Sequence, residues 1–286
     1  MLAIVGTVPD LQFPLVGGQA KLQGKAIRVE GHSVPINRGT PALIAAAIKT
    51  LEAIGRPAPY VYLAGDIGLG EGSRGLYDHL VRHLPHADWG VLTFHYLQPD
   101  VDWHNRVLFA IGEMRRRPLL IADAGYMYAA KMSGMAEEYD LFTPDAGELA
   151  FLADDQAPHP FYTRGFILHE EQKVPDLIAR AYRYKNAARL LLVKGKVDYV
   201  AGAQGVLAAV DQPAEEALEP IGGTGDTLTG IVSALAAGGI ELKRAATLAA
   251  RANRLAGCLA TPTPMTQVSD IIACVPQALA QVLEMP

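Results

Sequence analysis

Hydrophobic positions along the chain fall into two alternating patterns. Short β-branched and aliphatic runs at 25–30, 60–64, 90–94, 119–122, 190–193 and 199–201 read as strands. Between and after them lie Ala/Leu-rich stretches with apolar positions at helical spacing. Thr40 and Pro41 open one such helix, because Thr caps well and Pro suits a first turn; it runs through ALIAAAIKTLEAI to Gly55. Further helices are predicted near 73–84 and over 226–237, 242–260 and 269–283. Strand and helix in alternation imply crossover units. The predicted fold class is therefore α/β, a mostly parallel central sheet with helices on both faces. Ligands of such sheets bind beyond the carboxyl ends of the strands, so the loops that follow strands are the places to look for chemistry. No internal repeat or long linker interrupts the 286 residues, which are read as one domain, 1–286.

The densest signal is IGGTGDTLTGIVSALAAGG, in which Gly222, Gly223, Gly225 and Gly230 bracket one acid, Asp226. Glycines let the backbone turn tightly and approach a ligand. The helix that follows points free N–H groups and the positive end of its dipole at that space, an arrangement that binds phosphate. An acid at its mouth can take the proton from a hydroxyl that attacks a phosphoryl group. The plainer alternative is a glycine-rich loop with Asp226 as helix cap. Two further segments belong with it. LLLVKG is a strand ending in Lys194-Gly195, and DLFTPDAGELAFLAD is a strand end, a turn and a helix carrying Glu148. Phe94, His95 and Tyr96 end another strand, where core packing and stacking on a substrate ring are both open. The turn in AGDIGLGEGS misses the GxGxxG spacing, and no GxxxxGK[ST] or GxSxG occurs, which argues against dinucleotide-fingerprint, P-loop and α/β-hydrolase chemistry. His79, His83 and His86 share a helical face but lack an HExxH pattern, and no metal-ligating residues are expected among the side chains.

GTGDTLTGIVSAL, the Lys194-Gly195 turn and TPDAGELAFL resemble the ribokinase-like superfamily, and within it most closely the ADP/ATP-dependent NAD(P)H-hydrate dehydratases. AGDIGLGEGS is similar to that family's GPGLG turn. PLLIADAGYM is similar to its DAD strand end, with Asp123 on the second acid. GHSVPINRGTPALIAAA is similar to its GGSxxYxGAP stretch, with Gly31, Ser33, Gly39 and Pro41 in place. The resemblance spans about residues 25–265 and is tighter in the C-terminal half. It implies a ribokinase-like fold, with Asp226 as catalytic base and Lys194, Gly195, Gly222, Gly223, Thr224, Gly225 and Thr227 on the nucleotide phosphates. It also implies Gly39, Gly68, Gly70, Asp123, Asp145 and Glu148 on the substrate side, ATP or ADP with Mg2+ as cofactors, hydrated NADH or NADPH as substrate, and a homo-oligomer. The sequence departs from the pattern on the substrate side. Asp145 stands where relatives have His, Ile121 replaces the first acid of DAD, and the GGSxxY stretch is one residue longer and lacks its tyrosine. A kinase of a small hydroxylated metabolite and a non-catalytic nucleotide sensor are the alternatives.

Composition narrows the partners. A net charge of −5 leaves no basic footprint for nucleic acid. No apolar run is long enough to span a bilayer, and MLAIVGTVPDLQFP has no basic region or cleavage site, so neither a membrane nor a signal peptide is expected. Cys258 and Cys274 have no partners at metal spacing, which suits a reducing cytoplasm. The apolar stretch 269–283 is the expected oligomer contact.

Overall fold

The computed structural model describes residues 1–160, 163 and 173–284. Its centre is a nine-stranded sheet in the order β12-β11-β10-β9-β8-β7-β1-β6-β2. Here β1 is Leu2–Val8, β2 Val16–Gln19, β6 Tyr60–Gly65, β7 Val91–His95 and β8 Leu119–Ala122. The rest are β9 Leu141–Phe142, β10 Leu190–Val193, β11 Asp198–Gly202 and β12 Gly205–Val210. The six strands from β6 across to β10 run parallel. The outer strands β2 and β11 pair antiparallel to their neighbours. A second, three-stranded sheet is built from β3 (Lys21–Gln23), β4 (Ala26–Val29) and β5 (His32–Pro35), and its last strand leads into Gly39.

Two apolar clusters lie on opposite faces of the large sheet, so helices cover both sides, as expected of parallel strands. On one face the helices Thr40–Ala53, Thr224–Ala237, Leu242–Leu259 and Val275–Leu283 pack together. The first two meet closely because Gly230 has no side chain: a Cβ there would lie 2.2 Å from the Leu43 carbonyl oxygen. Gly230 therefore serves helix packing, not the ligand approach expected from the sequence. Its effect on the site is indirect, since it brings the N-terminal ends of both helices together.

The C-terminal stretch also differs from expectation. It forms two helices, Val268–Ala273 and Val275–Leu283, with Pro276 in the first turn of the second. Val275, Ala278, Leu279 and Val282 are buried against the helices Thr40–Ala53 and Leu242–Leu259. The apolar face assigned to an oligomer contact is thus covered by the chain itself. Among the described residues, no helix is long and apolar enough to cross a membrane.

Candidate active site

The carboxyl ends of β7, β8, β9 and β10 deliver His95, Asp123, Thr143 and Lys194 to one edge of the sheet. Above them two helices start, with Gly39 and Gly223 as their N-caps. Both glycines have left-handed φ values, 68° and 100°, which favour a residue without a Cβ. The Gly39 turn carries a second demand: a Cβ there would lie 3.0 Å from the Tyr96 ring.

Asp226 lies in the first turn of the Thr224–Ala237 helix, yet no side chain caps that helix. Its carboxylate reaches across to the neighbouring helix start. Oδ2 accepts from the Gly39 N–H at 2.6 Å, and Oδ1 lies 3.0 Å from His95 Nε2. The acid therefore sits between two helix N-termini, where dipoles favour negative charge. It remains partly open to solvent, with 13% of its side chain exposed. Behind it His95 is buried, with Nδ1 2.9 Å from Thr40 Oγ1.

A second layer lies deeper. Lys194 Nζ donates to both oxygens of Asp123, at 2.8 and 3.0 Å, and Thr229 Oγ1 donates to Asp123 Oδ2 at 2.6 Å. Burial by itself would raise the Asp123 carboxyl, but the charge of Lys194 and the hydrogen bonds from Lys194 and Thr229 hold it below its ordinary value. Burial likewise opposes the Lys194 ammonium, and Asp123 and Glu148 outweigh it, so the lysine stays charged. Lys194, expected on the nucleotide phosphates, thus has its charge neutralised by Asp123, expected on the substrate side. The Lys194 stem still passes 3.4 Å from where a Gly225 Cβ would lie, directly under the helix start.

The remaining expected residues divide in the same way. Gly222 is exposed, and Gly223, Thr224 and Gly225 are half-buried at the N-terminal end of the helix, whose first N–H groups have no intrahelical partner. Thr227 does not face this space. Its buried hydroxyl is bonded inward to the Thr224 carbonyl at 2.7 Å and to Asn253 Oδ1 at 2.5 Å. Gly195 is also committed to structure: its N–H bonds Asp198 at 3.1 Å and its carbonyl accepts from Arg254 at 2.9 Å. Asn253 and Arg254, which the sequence reading did not single out, thus brace the helix start and the strand-end turn. Gly68 and Gly70 have φ of 97° and 82° in the loop after β6. Their N–H groups, with Ser73, converge on Asp66, whose carboxylate organises that loop. Its signal was legible in GDIGLG, an acid followed two and four residues on by glycine.

Asp145 caps the Ala146–Leu152 helix in a reciprocal pair with Glu148. Burial pushes the Glu148 carboxyl up to about 8, with Asp123 and Asp145 adding to the effect and Lys194 opposing it. A folded-state value raised above the ordinary 4.5 means that this group's contribution is fully present below pH 4.5 and is lost as pH rises through about 8. Wild type is expected to lose thermal stability relative to Glu148→Gln across that window, since Gln keeps the cap but cannot titrate. Parallel melting-temperature curves for the two proteins would contradict the burial of this acid.

At the strand end after β7, the two aromatic side chains lie in different surroundings. Phe94 is core, stacked on Tyr126 at 4.1 Å. Tyr96 is half-exposed at the mouth, with φ of 53° and its carbonyl held by Thr7 at 2.6 Å. Partial burial, then Asp226 and Asp123, push its phenol up to about 12. A cavity of about 480 Å3 opens beside the glycine turn, with Pro220, Ile221 and Gly222 on one wall and Asn37, Thr263 and Pro264 among its other lining residues.

Among the described residues, His95, Asp123 and Asp226 are the group whose ligand atoms lie close enough to hold a metal, all within 4.8 Å. They do not fit Mg2+. That cation prefers octahedral oxygen ligands, whereas Asp123 is engaged by Lys194 and Thr229, and both Asp226 oxygens already accept hydrogen bonds. The histidines expected to share a helix face lie elsewhere: the His79 and His83 rings stack at 3.9 Å, and His86 follows the helix in a short turn.

Solved structures with the same architecture place the fold in the ribokinase-like class. The ADP/ATP-dependent NAD(P)H-hydrate dehydratase of Bacillus subtilis, co-crystallized with ATP and Mg2+, superposes with a TM-score of 0.60 at 13% identity, covering 98% of this chain and 89% of that one. Phosphofructokinase-2 of Escherichia coli gives 0.53 at 13% identity, covering 99% of both chains. The family model described as NAD(P)H-hydrate dehydratase matches residues 99–276, and the chain belongs to that family, whose members are nucleotide-dependent lyases. An uncharacterized protein of Methanocaldococcus jannaschii is 40% identical over 243 residues, 85% of this chain and all of its own length. The bifunctional NAD(P)H-hydrate repair enzyme of Hyperthermus butylicus is 36% identical over 116 residues, 38% of this chain and 21% of that protein.

Proposed function

We infer that this protein is a cytoplasmic ADP/ATP-dependent dehydratase that acts on hydrated NADH or NADPH and works as one ribokinase-like domain over residues 1–286. The observation that carries the reading is the Asp226 carboxylate, held by the Gly39 N–H and His95 between two helix N-termini and still open to solvent. In the reaction, the ring hydroxyl oxygen attacks the terminal phosphorus of the nucleotide and gives its proton to Asp226. The bond from that phosphorus to the bridging oxygen breaks, and the shortened nucleotide leaves. The N–H groups of the 222–225 turn face the charge that develops on the phosphoryl oxygens. The ring-bound phosphate then departs with its C–O electron pair, driven by the ring nitrogen's lone pair, and loss of a neighbouring proton restores the dihydropyridine. Mg2+ would enter on the nucleotide's phosphates, since the protein's own acids are already engaged. The cavity beside Gly222 suits the nucleoside end in position and size.

ATP or ADP is expected to raise the melting temperature, worth about 2.7 kcal/mol at a hundredfold excess over Kd. No shift with either nucleotide in the presence of Mg2+ would count against the nucleotide site. Kinases share the fold, and a kinase would use the same acid. Phosphorus NMR separates the two: a dehydratase releases inorganic phosphate, a kinase leaves a stable phosphoester. Assembly as a homo-oligomer belongs to the reading but has no assigned surface, and a sedimentation mass of one chain would remove it.

A further inference from the structure

We propose that His95 is a positioning residue for Asp226, the inner member of a Thr40–His95–Asp226 chain that fixes the carboxylate's rotamer and keeps its reacting oxygen aimed at the hydroxyl. The proposal rests on the reading of Asp226 as base. A carboxylate only accepts hydrogen bonds, so His95 Nε2, 3.0 Å from Asp226 Oδ1, must carry the proton of that contact. In the neutral ring Nδ1 is then the acceptor, and the Thr40 hydroxyl, 2.9 Å away, donates to it. Thr40 is fully buried in the first turn of the helix that Gly39 caps, and the same turn supplies the N–H that holds Asp226 Oδ2. One helix start therefore sets both oxygens of the acid, one directly and one through the ring.

The ring itself has little freedom. Its side chain is 1% exposed, and the Tyr96 ring lies 4.1 Å from it. Its Nε2 is 3.9 Å from Asp123 Oδ2, too long for a hydrogen bond, and that oxygen is already bonded to Thr229 and Lys194. His95 thus has one strong acceptor to serve. Without it Asp226 would keep only the Gly39 contact and could rotate about its Cβ–Cγ bond, and misplacing a base costs rate more than binding.

Two measurements test this. Nitrogen-15 NMR of the ring-labelled protein reads the tautomer without turnover. The Nε2–H form is expected for His95, and the Nδ1–H form would overturn the chain whatever the substrate proves to be. Nε2–H in a protein that does not act on hydrated NADH would defeat the functional reading and leave the positioning role standing. Kinetically, His95→Leu is expected to lower kcat about ten- to a hundredfold with little change in the KM for nucleotide. His95→Gln, which can present an N–H at the same reach, should recover most of the loss. Equal changes in kcat and KM, or no recovery with Gln, would make His95 a packing residue only. Should the Leu variant fail to fold, Thr40→Val, which removes only the outer donor, is expected to keep the Nε2–H form that Asp226 imposes while lowering kcat about two- to tenfold with little change in the KM for nucleotide; an unchanged kcat would overturn the proposal.

Discussion

Asp226→Asn is expected to fold, to bind nucleotide and to turn over at least about a hundredfold more slowly, because an amide cannot take the hydroxyl proton. The fold is expected to notice the change modestly. Asp226 offers one oxygen to the Gly39 N–H and the other to His95, whereas Asn has a single acceptor. One of the two donors loses its partner, at a cost of about 1–3 kcal/mol. Nucleotide affinity should hold or rise, since a negative charge beside the phosphates is gone. A variant with full activity would leave Asp226 a structural tie between two helices. Urea denaturation and nucleotide titration on the same sample keep an unfolded variant from being mistaken for an inactive one.

Lys194→Met is expected to be the most destabilising single change in the site. It strands the Asp123 carboxylate, 1% exposed, with the Thr229 and Ala124 donors and no counter-charge. Removing one partner of such a buried pair costs about 3–5 kcal/mol, a large share of the roughly 5–15 kcal/mol that holds a domain folded. Removing both charges is much milder, so Lys194→Met combined with Asp123→Leu should recover much of the loss, as read by denaturant midpoint. The pH dependence follows from the two directions of shift. Asp123 is depressed, so its contribution is present above the ordinary 3.8 and is lost as pH falls through its lower folded value. Lys194 is raised, so its contribution is present below the ordinary 10.5 and is lost as pH rises through its folded value. The pair therefore contributes across the whole neutral range. A single variant as stable as wild type at pH 7 would contradict the buried pair.

The sequence was most legible where the signal is local. The glycine turn, the helix over 40–53 and the strands at 119–122 and 190–193 follow from spacing and caps, and the structure has them within a few residues. The central strand β1 escaped because it is buried on both faces: LAIVGTV has no polar alternation, and one apolar run at a chain start looks like many other things. The helix Ala124–Met132 was not read from the sequence, although Asp123, besides pairing with Lys194, is a favourable cap for it. Within the site, the individual acids could be named but not their partners. Asp226 and His95 are 131 positions apart, and Asp123 and Lys194 are 71 apart. Only the sheet order brings these ends together, and pairing at that distance leaves no periodic trace. The same limit explains Thr227 and Gly195. Both lie in the right motif, but their polar groups turn inward to Asn253, Asp198 and Arg254.

The central claim is that the base at Asp226 serves dehydration. It is tested most directly by incubating the protein with hydrated NADH, Mg2+ and either ATP or ADP and following NADH absorbance. Absorbance is expected to return with one inorganic phosphate released per NADH, and at least about a hundredfold more slowly with Asp226→Asn. A stable phosphorylated product, or no return of absorbance by a folded protein that binds nucleotide, would contradict it.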